Sequence, residues 1–234
     1  MSRSGDGMVV PGRWVERWLS SPRFARYLAA AGGDRQLALD LYEWNAAVSA
    51  AVLHELAHLE VGLRNAYDRA LTAADPTGDW IRPGSPLLAP LWRTHGRGKG
   101  QARARVDVNE ESRRLLDQAR VKAGPGAPHG KVVAELSFGF WRYLSSAARE
   151  KTLWVPYLHK AFTPSTDRRR DVDKPVTQLA RLRNRAAHHE HLLTQDLAAQ
   201  HNDVLAVAGR IDPQLAAHLR QTAQVPQYLT TRPC

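Results

Sequence analysis

Residues 34–73 read DRQLALDLYEWNAAVSAAVLHELAHLEVGLRNAYDRALTA, and this stretch decides the fold class. Leu37, Leu41, Trp44, Val48, Val52, Leu59, Leu63, Tyr67 and Leu71 recur three or four positions apart with one longer step. That is the period of one face of an α-helix, not of a strand. Asp34 stands where an N-cap belongs, and Gly62 alone interrupts a run otherwise free of Gly and Pro. The spacing predicts one helix over 34–73, about 60 Å long at 1.5 Å per residue. No run elsewhere alternates strictly over strand length, so the chain reads as all-α.

Working outward, Trp14, Trp18, Phe24, Tyr27 and Leu28 predict one or two short helices within 10–33, with Ser21 as N-cap and Pro22 in the first turn. Residues 74–105 read as a long irregular loop, because DPTGDW and RPGSP are turn signals and a basic, Gly-rich run follows. Core helices are expected over 106–193: one across 106–121, a break at GPGAPHG, another across 131–145, a short apolar segment at 153–162, and a helix from 176 to 189 started by Asp173 and Pro175. Residues 194–234 carry two amphipathic helices, 196–210 and 213–223, and then a tail that reads as frayed from Val225 to Cys234. No repeat of solenoid period and no clean linker is visible, so residues 1–234 are expected to form a single helical domain.

The composition bounds the function. Of 234 residues 43% are apolar, and 16 Gly with 14 Pro is ordinary usage, which excludes pervasive disorder and fibrous architectures. The only cysteine is Cys234, so an intramolecular disulfide and a Cys-based metal site are excluded. The N-terminus lacks the apolar core of a signal peptide, and no unbroken apolar stretch approaches the length of a bilayer span, so a cytoplasmic protein without a membrane partner is expected. The net charge is +10, carried by 27 Arg and 6 Lys against 23 acidic residues. Such a balance suits a polyanionic partner, since cations that meet phosphates release counterions, although Arg-rich, Ala-rich composition also arises without functional demand.

Residues 178–191, QLARLRNRAAHHEH, hold the first candidate site. Arg183, Asn184 and His188 put a permanent cation, an amide and a titratable imidazole within about a turn and a half of helix. These groups suffice to cleave RNA without a metal. An imidazole near neutral pKa can take the proton of a ribose 2′-hydroxyl as it attacks the adjacent phosphate, and a guanidinium can brace the charge that grows on the phosphate oxygens. His188 is four residues from Asn184 and shares its face, whereas His189 falls on the stripe of Leu179 and Leu182, so His188 is expected to be the acid/base group and His189 a supporting one. Arg183 and His188 sit about 140° apart on an ideal helix, which leaves either an irregular helix end or two facing copies of the motif.

The run LRNRAAHHEHL, with AELSFGFWRYLSS, LWVPYLHKAF and the long segment over 41–71, resembles the Abi-like (abortive infection) proteins of the HEPN superfamily across roughly Trp14 to Leu193. The resemblance implies an all-helical domain that forms a homodimer, with the Arg, Asn and His of both motifs facing a shared cleft. It also implies a metal-independent endoribonuclease of phage-defence or toxin type, acting on RNA without a cofactor. Carried over residue by residue, its motif falls on Arg183, Asn184 and His188. Some members of the superfamily bind RNA without cutting it.

Other features offer alternatives. His54-Glu55-Leu56-Ala57-His58 is a literal HExxH, in which two histidines on one helical face would hold zinc and Glu55 would act as base, but no third ligand is recognisable in the sequence. Arg64-Asn65 echoes Arg183-Asn184 without a following His; Arg64 reads as an i,i+4 partner of Glu60 or as an RNA contact beside the cleft. Arg93, Arg97, Lys99, Arg103 and Arg105 read as a solvated loop or as a clamp on an RNA backbone. Arg168, Arg169 and Arg170 invite the same two readings, and the flanking Asp167, Asp171 and Asp173 favour the solvated one. The tryptophans read as core anchors, with Trp80 and Trp92 as the exceptions that would stack on bases.

Overall fold

The computed structural model describes residues 11–95 and 104–234 and is predominantly helical. Two short helices, α1 (Trp14–Leu19) and α2 (Ser21–Ala30), lead into the axis of the molecule, α3 (Arg35–Ala74), which is continuous as its period predicts. Asp34 caps it: Oδ1 accepts from the N–H groups of Gln36 and Leu37. The cap of α2 is Ser20, in the left-handed region at φ 66°, one residue earlier than expected, and Pro22 keeps its first-turn position.

Around α3 pack α7 (Lys174–Ala187), α8 (Leu197–Ile211), α9 (Pro213–Thr222) and α10 (Val225–Thr230). The main core joins Leu56, Leu59, Leu63 and Tyr67 of α3 to Leu179, Val207 and Leu219; a second cluster joins Val15, Phe24 and Tyr27 to Ala38 and Leu41. Each buried Leu contributes about 1.5–3 kcal/mol relative to exposure. One 18-residue window of α3 reaches a mean hydropathy of 1.2, enough by length and composition to cross a membrane, yet 44% of it is buried among the other helices. Gly62 marks the close approach of α9: a Cβ there would stand 2.7 Å from Leu215 Cδ2.

The expectations over 74–105 need correction in two ways. Residues 75–91 are irregular but built into the core: Trp80 is fully buried and its Nε1–H donates to Asp68 Oδ1 at 2.7 Å. Asp75 is buried as well. Burial alone would raise its pKa, but donors on Thr77 and Ser85 and the nearby Arg82 hold it down to about 2. A short antiparallel hairpin then forms from β1 (Trp92–His95) and β2 (Ala104–Asp107), so the helix expected from 106 starts later, as α4 (Glu110–Ala123). Four-residue strands of mixed polarity carry too few positions for a period of two to show.

The segment 131–145 divides into α5 (His129–Ala134) and α6 (Phe138–Leu144). Wide helical turns over Glu150–Trp154 and Arg168–Asp173 occupy positions read as apolar and solvated. Arg168 is buried, donating to Ser145 O at 2.7 Å and pairing with Asp173 at 3.0 Å, so it is structural. The tail read as frayed is α10, docked by Trp44 Nε1, which donates to Tyr228 O at 2.7 Å.

Candidate functional site

α7 presents Thr177, Ala180, Arg181 and Asn184 along one face, opposite Ser137 and Phe138 at the start of α6 and Arg142 and Tyr143 in its last turn. Together with Arg183 they line a hollow of about 470 Å³. Its polar character is set by guanidinium groups: Arg142 lies 4.1 Å over the Tyr143 ring, and Arg181 is exposed. Glu60 of α3 lies within reach of the charge of Arg183. Burial pushes its carboxyl upward from the usual range, while the charges of Arg183 and Arg64 and the backbone of Phe138 oppose this and leave a net rise. Arg64 and Arg183, far apart in sequence, both act on this carboxyl through their charge, without an ion pair to it. The i,i+4 ion pair expected of Glu60 and Arg64 does not form in the structure; the two residues interact only at longer range.

The end of α7 departs from expectation. The helix was read through His189 but stops at Ala187, and His188 is its C-cap. The Glu190 N–H donates to Arg185 O at 2.9 Å and the His189 N–H to Ala186 O at 3.1 Å, the paired bonds of a Schellman turn. His189 occupies its left-handed position at φ 54° and is exposed, so the packing role on the Leu182 stripe is corrected: the stripe has ended before it. No Gly or Pro marks this stop. It is fixed from α3, where buried Asn45 Oδ1 accepts from the Leu192 N–H at 2.6 Å, and from Arg185, whose Nη2 donates to His191 O at 3.0 Å.

His188 is exposed at that turn and does not line the hollow of Arg183 and Asn184. Its neighbours in sequence instead border a second hollow of about 510 Å³ against α2, formed with Arg23, Arg26 and Tyr27. Within one chain Arg183 and Asn184 thus meet at one hollow and His188 stays outside it, in keeping with the 140° offset of Arg183 and His188; the face expected to be shared by Asn184 and His188 does not bring the imidazole to the hollow.

The HExxH motif is used otherwise. Glu55 is 2% exposed, and its Oε2 pairs with His201 Nδ1 at 2.8 Å while Oε1 accepts from the Val225 N–H at 3.3 Å, so it fastens α8 and α10 to α3. His54 and His58 meet edge to face with ring centroids 4.8 Å apart, and His218 of α9 stands 5.7 Å from His58. Burial, His54 and His218 all depress His58. Among the described residues no group of three or more His, Cys, Asp or Glu side chains is placed to hold a metal ion. A buried glutamate engaged on both oxygens cannot serve as the base of a zinc hydrolase, so that alternative is set aside.

Of the basic run, Arg97, Lys99 and Arg103 lie outside the described residues. Arg93 and Arg105 are exposed on the hairpin and do not line the hollow of Arg183; Arg105 lies 5.4 Å over the ring of Trp92. Trp80 cannot stack on a base because it is buried, whereas Trp18, read as a core anchor, is 53% exposed. Sequence reasoning also missed Arg142 and Arg181, which carry no motif. No family model, curated protein or solved structure matches the chain.

Proposed function

We propose that this chain is a metal-independent endoribonuclease, a homodimer of the phage-defence or toxin kind that its Abi-like resemblance implies, working in the cytoplasm. One observation carries the reading: Arg183 and Asn184 border a hollow rich in guanidinium groups, while an exposed His188 is held at the end of the same helix by a defined turn. A scissile phosphate would sit against Arg183, with Arg142 and Arg181 taking neighbouring phosphates. His188 accepts the 2′-hydroxyl proton, O2′ forms a bond to phosphorus, and the bond from phosphorus to the 5′-oxygen breaks as that oxygen gains a proton. The products are a 2′,3′-cyclic phosphate and a 5′-hydroxyl. A second copy supplies the His188 that one chain keeps away from its own Arg183.

The separation of His188 from that hollow favours a second reading, an RNA-binding module that does not cut. Incubating the purified protein with total RNA, with and without EDTA, decides between them. Chelator-insensitive fragments ending in cyclic phosphate support the nuclease, and bound but intact RNA supports the binding module.

A further inference from the structure

The hollow between α2 and the turn after α7 is not used by the chemistry proposed above. Its cationic side comes from Arg23 and Arg26, both exposed, and its other wall from His189 and His191, with Tyr27 and Ser20 at the base. Arg26 Nη1 lies 2.9 Å from His191 Nε2. A guanidinium can only donate, so this imidazole nitrogen is an acceptor and the ring is neutral, with its proton on Nδ1. That Nδ1 is buried and has no hydrogen-bond partner. Arg26 therefore spends its charge on a neutral ring rather than on a carboxylate, and among the described residues no ion pair engages Arg23. The carboxylate at the rim, Glu190, is drawn to Arg185 at 3.4 Å.

We propose that this hollow is a phosphate-binding subsite for single-stranded RNA, in which an anion enters between Arg26 and His191 and is also held by Arg23. The inference rests on the nuclease reading for its choice of ligand. An entering phosphodiester would take over the donors of Arg26, and Nε2, freed from accepting, would gain a proton and donate to the phosphate as well. His191 is poised for this. In the free protein burial, then Arg26 and Arg185, depress its pKa, with Glu190 opposing them, so an anion beside it brings proton uptake with binding. A strand is favoured over free phosphate by the aromatic row that ends at the hollow. Tyr27 meets Tyr42 at 5.4 Å and Tyr42 meets Trp18 at 5.2 Å; Trp18 is stacked on Trp14 at 6.0 Å, and its exposed remainder offers a surface for a base further along the strand from the bound phosphate.

The test uses the His188→Ala chain, in which the proposed mechanism slows cleavage, and a fluorescein-labelled oligouridine read by anisotropy across a salt series. Arg23→Gln with Arg26→Gln should weaken binding about tenfold and flatten the salt slope by about 0.7, one phosphate on a single strand. Trp18→Ala should weaken the RNA and leave competition by inorganic phosphate unchanged. Wild-type His191 should give binding that tightens as pH falls from about 8 to about 6, by at most about tenfold per unit for one proton, and His191→Gln should flatten that response. A phosphodiester does not titrate in this range, so the protein is the source of the proton linkage. Unchanged affinity and salt slope in the double Arg variant overturn the proposal. So does an effect of that variant on inorganic phosphate alone, which would assign the hollow to the free ion, and so does a pH response that survives His191→Gln. If wild-type protein fails to cut RNA while these binding changes appear, the nuclease reading falls and the subsite stands; cleavage with unchanged binding gives the reverse.

Discussion

The site is set by single residues in the turn from His188 to Leu192. His189 holds a left-handed conformation that costs a side chain with a Cβ roughly 1 kcal/mol and that glycine adopts freely. His189→Gly should therefore raise stability by about 0.5–1 kcal/mol in denaturant unfolding and leave the position of His188 unchanged, since the histidine ring does not pack on the stripe. A loss of stability would restore the packing role. Asn45→Ala strands the buried Leu192 N–H and should cost about 1–3 kcal/mol, with faster hydrogen exchange through the turn than elsewhere. The types and spacing of Arg183, Asn184 and His188 were legible in the sequence because covalent order fixes them. The helix end between Asn184 and His189 was not legible, because a Schellman turn with His in the Gly position and an anchor 147 residues away leave no local signal.

At the scale of elements, α3 was legible almost to the residue, since a cap and an unbroken apolar period act together. The hairpin was hidden in a basic stretch, and α10 in an end that looked frayed, because its hold comes from Trp44 and Glu55 on a distant helix. The packing of α5 against the 75–91 segment carries a pH dependence. His129 bridges Asp68 at 2.8 Å and Asp79 at 3.2 Å, and although burial pulls its pKa down, the two carboxylates leave it raised. The stabilisation from charged His129 is complete below the unfolded imidazole value of about 6.5 and is lost as pH rises through the higher folded value. The melting temperature should fall across that window in the wild type, and this component should vanish in His129→Gln. An identical pH profile in both would remove His129 from the account.

At the scale of the whole molecule, the proposed nuclease requires a second copy, because α7 keeps His188 away from the hollow of Arg183. If each active site pools Arg183 of one protomer with His188 of the other, mixing Arg183→Ala chains with His188→Ala chains should restore part of the activity that each lacks alone. Sites complete within one chain would show no recovery, and a fully active monomer would remove the dimer from the mechanism. The charges of Arg64 and Arg183 meet at Glu60 only through the tertiary fold, and no local pattern announces it. The most direct measurement is the single-turnover cleavage rate of one labelled single-stranded RNA in EDTA by wild type, Arg183→Ala and His188→Ala. The account predicts cyclic-phosphate ends from the wild type and a loss of at least about 100-fold in each variant at unchanged helical content. Cleavage that EDTA abolishes, or that survives His188→Ala at the wild-type rate, would contradict it.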